Sequence, residues 1–148
     1  DCRYMVTRSE MRGLQGWFLN RLGCFPIDQR RPSLTTLRYA VDLLISSQQL
    51  VVFPEGKINR FGEPVKLKKG LIRLAQLASN KGMEIKIVPV GLAYSDVIPK
   101  FSGSASICFS KPIIISKDFN QSINDFNISL SESMRSAEQT ALLAVGRR

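Results

Sequence analysis

The sequence predicts an α/β protein with a mixed, largely parallel sheet flanked by helices. Short runs rich in β-branched residues alternate with segments whose apolar residues recur every three or four positions. This alternation is typical of strand–helix–strand units, in which successive strands run parallel. With 148 residues, 44% of them hydrophobic and 22% charged, the chain has the size and composition of a globular domain. We therefore expect residues 1–148 to form a single domain.

The first half of the chain is predicted to supply three strands and two helices. The strands are residues 2–6, 24–27 and 50–53. Gly23 stops the first helix, whose apolar face consists of Leu14, Trp17, Phe18 and Leu22. The second helix opens at Pro32-Ser33, and its apolar stripe consists of Leu34, Leu37, Val41, Leu44 and Ile45. We expect the face of the first helix to belong to the core, with contact to lipid as the alternative.

The second half is predicted to contain a helix, three strands and a final helix. Gly82 ends the helix whose buried residues are Leu67, Leu71, Leu74, Ala75 and Ala78. The strands are residues 85–90, 106–109 and 113–115. Pro89 is unusual inside a strand and indicates an edge or a bulge. Ser129 and Glu132 have capping-box spacing, which predicts a C-terminal amphipathic helix over residues 129–146.

The charge and the cysteines limit the classes of partner and site. Lys and Arg total 21 against 12 Asp and Glu, a net charge of +9. Such a balance favours polyanions, which include acidic membranes, phosphorylated metabolites and nucleic acid. The three cysteines show no CxxC spacing, so we expect reduced, mostly buried thiols in an intracellular protein, with no disulfide framework and no metal site. No apolar run reaches the length that spans a bilayer.

The segment Phe53-Pro54-Glu55-Gly56 follows the apolar run at residues 50–52. Pro54 fixes φ and removes a backbone donor, and Gly56 can adopt a positive φ. We therefore expect a stiff turn that presents Glu55 at the end of a strand, where open α/β sheets place their ligand sites. A Pro-Glu-Gly turn without catalytic or binding role is the alternative.

Four segments in order resemble the motifs of the glycerolipid acyltransferase family, of the 1-acylglycerol-3-phosphate acyltransferase (phospholipid-glycerol acyltransferase) type. Residues 7–11, Thr-Arg-Ser-Glu-Met, are similar to the family's Ala-Lys-x-Glu-Leu. Residues 23–28 resemble its Gly-x-x-x-Ile-Asp-Arg motif, residues 53–56 match its Phe-Pro-Glu-Gly, and residues 88–90 match its Val-Pro-Val/Ile strand. The resemblance covers most of the chain and implies a glycerol-phosphate acyltransferase-like fold.

The resemblance implies transfer of a fatty acyl group from an acyl-CoA or acyl carrier protein thioester to the hydroxyl of lysophosphatidate or a similar lysophospholipid, in phospholipid biosynthesis. It implies no cofactor other than this co-substrate, and association with the cytoplasmic face of a membrane. The family takes its catalytic base from a His-x-x-x-x-Asp motif that precedes the first of the four segments. The chain contains no histidine, so we expect that motif upstream of Asp1, no catalytic residue within the chain, and a domain that lacks its N-terminal part.

By the same resemblance, the remaining residues form the site of the acceptor's phosphate, which demands cations. The substrate-binding candidates are Glu55, Gly56, Arg8, Arg30, Lys57, Arg60 and Asp28. Asp28 has an alternative role as a carboxylate at the N-terminus of the following helix. Lys68 and Lys69 precede a further helix N-terminus, which is itself an anion site. The chain departs from the family pattern at Gln29 and Ile58, where the motifs have arginine.

Two other functions stay open at this stage. A histidine-free relative without activity would bind phospholipid or acyl carrier protein. A basic nucleic-acid binder is the third reading, but the chain lacks aromatic residues interleaved with its basic ones and any known reading motif. We therefore expect no nucleic-acid partner.

Overall fold

The computed structural model describes residues 1–56 and 66–147. Its helices and strands follow the predicted order, with one predicted strand divided in two. They are β1 (Cys2–Thr7), α1 (Gly13–Arg21), β2 (Cys24–Ile27), α2 (Leu34–Ile45), β3 (Gln49–Val51), α3 (Gly70–Ser79), β4 (Ile85–Ile87), β5 (Val90–Tyr94), β6 (Ala105–Phe109), β7 (Ile113–Ile115) and α4 (Ile123–Ala144).

The first three strands form a parallel sheet in the order β2-β1-β3. The N-terminal strand is therefore central: Tyr4 pairs with Cys24 on one side and with Val51 on the other. Because parallel strands need crossover connections, α1 links β1 to β2 and α2 links β2 to β3. The predicted α/β class, with a parallel sheet flanked by helices, is confirmed.

The last four strands form two antiparallel ladders, β4 with β7 and β5 with β6. The prediction of one strand over residues 85–90 is wrong, because the chain leaves one ladder at Ile87 and enters the next at Val90. Ile87 pairs with Ile113 and Val90 pairs with Phe109. Between these pairs, residues 88–89 on one side lie opposite residues 110–112 on the other. The carbonyl oxygen of Pro89 accepts a hydrogen bond from the backbone of Ser110 at 2.9 Å. Pro89 therefore lies in a bulge, as its ring and missing N–H predict.

The core lies between the helices and both kinds of sheet. Its largest fully buried apolar side chains come from three elements: Ile72 of α3, Ile115 of β7, and Phe126 and Leu130 of α4. Met5 of β1 belongs to the same cluster of buried residues. One continuous core therefore joins the parallel sheet to the C-terminal half.

Helix α4 lies directly on the β5–β6 ladder. At Gly91 a Cβ atom would fall well inside contact distance of the backbone of Ala137 and Glu138. The helix begins six residues before the predicted start, because the Ser122 side chain accepts a hydrogen bond from the backbone N–H of Asp125. The prediction that Ser129 caps it is wrong: Ser129 lies within the helix, and its carbonyl oxygen accepts the Ser133 hydroxyl.

The apolar face of α1 is exposed among the described residues, so the prediction that it belongs to the core is wrong. Leu14 is 88% exposed, Trp17 61%, Phe18 57% and Leu22 52%. The helix packs instead through Gly16, where a Cβ would collide with the backbone of Met11. Periodicity shows that a helix has an apolar face, but the neighbouring elements decide whether that face is covered.

Candidate functional site

The predicted site residues follow the carboxyl ends of the three parallel strands. Thr7 pairs with Ile27 at the ends of β1 and β2, and β3 ends at Val51 on the other side of β1. Because parallel strands end at the same edge of a sheet, the segments after them converge there. The edge thus gathers a 3₁₀ turn, Arg8–Glu10, the segment after Ile27 and the Phe53–Gly56 turn.

A pocket of about 320 Å³ opens at this edge, between the residues that end and follow β1, those that end and follow β2, and Lys68. The residues that line it are Thr7, Arg8, Ser9, Ile27, Asp28, Gln29, Arg30 and Lys68. Three of these side chains are cations and one is a carboxylate, so its walls are positively charged. A phosphate monoester carries roughly −1.5 to −2 charges at neutral pH and suits such a site.

The Phe53–Gly56 segment forms the predicted turn. The backbone N–H of Gly56 donates to the carbonyl oxygen of Phe53 at 3.1 Å, and Gly56 has a φ of +67°. Pro54 is buried and Glu55 is half-buried. The carbonyl oxygen of Pro54 accepts a hydrogen bond of 2.8 Å from the backbone N–H of Lys68, so the turn and the segment before α3 are joined.

A hydrogen-bonded chain of three side chains lines the pocket. The Gln29 Nε2 group donates to the Thr7 hydroxyl at 2.8 Å, and the Lys68 Nζ group donates to Gln29 Oε1 at 3.1 Å. A Cβ on Gly56 would lie 2.5 Å from Lys68 Cε and 3.0 Å from both Lys68 Nζ and Gln29 Oε1. The glycine of the turn therefore leaves the space that this lysine occupies.

Asp28 holds the turn that carries Arg30. Its Oδ1 atom accepts the backbone N–H of Arg30 at 2.8 Å and that of Arg31 at 3.1 Å. These bonds, that from Arg31 first, lower the pKa of Asp28 below its ordinary value of 3.8, and the charges of Arg8 and Arg30 act in the same direction. The following helix, α2, is capped by Ser33, whose side chain accepts from the Thr36 backbone. Asp28 therefore stabilises its own turn rather than the helix N-terminus.

The structure brings together Arg8, Arg30 and Asp28, which all line the pocket. Glu55 and Gly56 do not line it, but Gly56 adjoins the Lys68–Gln29 pair. Lys57 and Arg60 lie outside the described residues, as does Ile58. Their roles in binding remain predictions.

The sequence does not predict Gln29 as a site residue, and it indicates Lys68 only through its place before a helix N-terminus. The signal at Gln29 was its departure from the family's arginine. A glutamine can replace the hydrogen bonds of an arginine but not its positive charge, so a separate cation must supply that charge. The sequence alone does not show which of the many lysines lies within reach.

Other kinds of site find little support in the part of the chain that the structure describes. No three His, Cys, Asp or Glu side chains cluster there as metal ligands would. The cysteines are free thiols, and burial raises the pKa of Cys24, which makes it a poor nucleophile. Residues 1–56 and 66–147 also contain no helix long and apolar enough to cross a membrane.

Comparison with known proteins agrees with the motifs. The model of the family described as Acyltransferase matches residues 1–93. A 1-acyl-sn-glycerol-3-phosphate acyltransferase of Streptococcus pneumoniae is 33% identical over 76 residues, which are 51% of this chain and 25% of that protein. The enzyme with the same description from Bacillus subtilis is 32% identical over 62 residues, 42% of this chain and 30% of that protein.

A solved structure shares the fold. The crystal structure of the 1-acyl-sn-glycerophosphate (LPA) acyltransferase PlsC from Thermotoga maritima matches with a TM-score of 0.65 at 18% identity, over 93% of this chain and 56% of that chain. The matched regions span less than two thirds of each relative. The family model extends from β1 into β5 and includes every residue that lines the pocket. The chain therefore belongs to the acyltransferase family.

Proposed function

We propose that the protein is a 1-acylglycerol-3-phosphate acyltransferase of phospholipid biosynthesis. It would move a fatty acyl group from acyl-CoA or acyl carrier protein to the free hydroxyl of lysophosphatidate or a similar lysophospholipid. The observation that carries this proposal is the cationic pocket at the ends of the parallel strands, which lies within the family match. The names of the curated relatives support the same reaction.

The pocket residues have a direct role in this proposal. The acceptor's phosphate binds between Arg8 and Arg30, and arginine forks suit phosphate oxygens. Asp28 keeps the turn of Arg30 in place. Glu55 accepts hydrogen bonds from the glycerol part or holds the neighbouring cations. The site thus fixes the acceptor's position, which accounts for much of the rate gain in such bimolecular reactions.

In the proposed reaction the acceptor's hydroxyl oxygen attacks the thioester carbonyl carbon. An ester C–O bond forms, the C–S bond breaks, the thiolate leaves, and a base takes the hydroxyl proton. The 148 residues contain no histidine. We propose that a His-x-x-x-x-Asp motif outside them supplies the base, so the 148-residue chain alone should bind acceptor without transferring acyl groups.

The test is acyl transfer by the complete native protein, with lysophosphatidate as acceptor and acyl-CoA or acylated carrier protein as donor. We expect Glu55→Ala to lower turnover by about tenfold or more without unfolding, because the turn beside the pocket loses a charged hydrogen-bonding group. Glu84→Ala, which removes an exposed glutamate before β4, is the matched control. Wild-type turnover in Glu55→Ala would contradict a role for Glu55 in the site. Absence of acyl transfer by the native protein with either donor would overturn the proposed function.

A non-catalytic relative that binds phospholipid or acyl carrier protein is the second candidate. The absence of histidine and the non-arginine residues at Gln29 and Ile58 favour it. It predicts that the complete native protein binds lysophosphatidate but transfers no acyl group. The transfer assay therefore separates the two candidates.

Association with a membrane at its cytoplasmic face is part of the proposal, and the exposed face of α1 supports a membrane surface as partner. Four apolar side chains are exposed on this helix and on Leu22, the residue that follows it, and the Arg21 guanidinium lies 4.8 Å from the centre of the Trp17 ring. Apolar and aromatic residues beside arginines are typical of helices that lie in a lipid interface. With a net charge of +9, the protein would also be attracted to acidic lipid.

Vesicle sedimentation tests this part of the proposal. We expect Phe18→Ser to weaken binding to acidic vesicles about fivefold or more, since a partly inserted aromatic side chain is lost. Leu77→Ser is the control, because Leu77 is 50% exposed on α3, comparable to the 57% of Phe18. Equal affinities for the two variants would contradict a contact through α1.

A further inference from the structure

We propose that Lys68 is a phosphate-binding residue of the pocket and that Gln29 is the residue that positions it. This inference rests on the proposed function, because it concerns the same acceptor site. It adds a cation that the four motifs do not contain and gives a role to the residue that departs from them.

The geometry fixes Lys68 at both ends. Its backbone N–H bonds to the Pro54 carbonyl oxygen at 2.8 Å, and its Nζ group bonds to Gln29 Oε1 at 3.1 Å. Gln29 is held in turn by the Thr7 hydroxyl at 2.8 Å, at the end of β1. Because lysine only donates, the amide must present its oxygen to Lys68 and its nitrogen to Thr7. An exposed lysine that is already ordered loses less side-chain entropy when it binds a ligand.

The charge of Lys68 is directed to the pocket. Its partner Gln29 is a neutral amide, so this hydrogen bond positions the ammonium group without neutralising it. A lysine ammonium has three donors and Gln29 takes one. Arg8 and Arg30 line the same pocket as Lys68, so an anion there would meet three cationic side chains.

The Phe53–Gly56 turn and the departure at Gln29 are explained together by this arrangement. Any side chain at Gly56 would press against both Lys68 Nζ and Gln29 Oε1. An arginine at the position of Gln29 would itself be a cation, and it could not accept a hydrogen bond from the lysine. The neutral amide of Gln29 therefore lacks the charge that the family motif has at this position, but it can hold the charge of Lys68 in place.

The experiment is titration of the complete native protein, without acyl donor, with 1-hexanoylglycerol 3-phosphate, a soluble short-chain acceptor, followed by kinetics of the same protein with donor. We expect Lys68→Met to weaken binding about ten- to a hundredfold, the usual effect of losing a charged hydrogen bond. Lys68→Arg should recover most of it. In the kinetics, Lys68→Met should raise the KM for the acceptor far more than it changes kcat or the KM for the donor.

Gln29→Met tests the positioning role. It should weaken binding roughly three- to tenfold, and the double variant Gln29→Met/Lys68→Met should bind no worse than Lys68→Met alone, because Gln29 acts through Lys68. Lys81→Met is the matched control, since it removes the same charge at the opposite end of α3. The thermal unfolding midpoint of each variant shows whether folding is retained.

The outcomes separate the two levels of inference. Wild-type affinity in Lys68→Met, together with loss of binding in Arg8→Met, would overturn the role of Lys68 and leave the proposed function standing. If Gln29→Met and Lys68→Met had additive effects on the free energy of binding, the positioning role of Gln29 would be overturned. No binding of 1-hexanoylglycerol 3-phosphate by the wild-type protein would overturn both this inference and the acceptor site on which it rests.

Discussion

Gly56 has two functions: it adopts the positive φ of the turn, and it leaves space for the Lys68 side chain. Replacing Gly56 by alanine should affect stability through the first function and ligand affinity through the second. Gly56 has a φ of +67°, a conformation that disfavours side chains by about 1–2 kcal/mol. The added Cβ would also lie 2.5 Å from Lys68 Cε, against 3.4–4 Å for ordinary contact, so Cε must move by about 1 Å. Because the long Lys68 side chain is exposed and can shift toward solvent, this movement should add little to the loss of stability.

The movement should instead break the bond between Lys68 and Gln29. The Cβ would lie 3.0 Å from both Nζ and Oε1, closer than ordinary contact, so it would push both atoms of this bond away from the turn while Cε moves. We therefore expect a stability loss of about 1–2 kcal/mol, or roughly 3–6 °C in the unfolding midpoint of a chain of this size. Affinity for 1-hexanoylglycerol 3-phosphate should fall about tenfold.

Two other glycines provide matched controls. Gly13 and Gly82 have φ values of +59° and +95°, which bracket that of Gly56, and a Cβ on either would have no heavy atom within 4 Å. Alanine there should lower stability by a similar amount with no loss of affinity. Measuring thermal unfolding and calorimetric titration on all three variants tests the reasoning. Wild-type affinity in Gly56→Ala, or an equal loss in Gly82→Ala, would refute it.

Three further predictions concern the fold and its pH dependence. Phe126→Ala should lower the free energy of unfolding by about 3–5 kcal/mol in urea denaturation, because Phe126 is fully buried and its ring packs edge-on against Phe119; a loss below about 1 kcal/mol would contradict its place in the core. Gly91→Ala should lower it by about 1–3 kcal/mol, since the new Cβ meets the backbone of α4, and a gain in stability would contradict that close approach. The lowered pKa of Asp28 means that its stabilising contribution is full above the ordinary value of 3.8 and is lost as pH falls. The difference in unfolding midpoint between wild type and Asp28→Asn should therefore be largest above about pH 5 and shrink toward about pH 2, and a difference that grows on acidification would reverse the sign of this argument.

The sequence predicted the elements where local patterns and tertiary contacts agree. The order of the elements, the turn at Gly56 and the burial of Leu74, Ala75 and Ala78 in α3 depend on alternation, turn chemistry and helical spacing, all of which are local. Arg8, Arg30 and Asp28 came together because parallel strands place their following segments at one edge. The family resemblance identified the motif residues, and the parallel topology of the sheet explains why they lie close together.

The predictions were wrong or incomplete where contacts between residues far apart in the chain determine the structure. The exposure of Trp17 depends on which elements pack over α1, and no periodicity contains that information. The interruption at Pro89 requires knowledge of the partner strand, whose extra residue creates the bulge. The Gln29–Lys68 pair joins residues far apart in the chain, so neither residue type predicts it alone.

The central place of β1 in the parallel sheet has a consequence for the order of folding. Tyr4 must find Cys24 on one side and Val51 on the other, and the second closure spans more than twice as much chain as the first. Loop-closure entropy favours the shorter connection, so we expect the β1–β2 pair to form before β3 docks. Pulsed hydrogen exchange should then protect β2 amides before those of β3, and the reverse order would contradict this sequence of events. The Pro54 carbonyl group that holds the Lys68 backbone follows β3, so Lys68 would reach its place in the acceptor pocket only after the last strand of the parallel sheet has docked, and a species with only β1 and β2 paired would lack this cation.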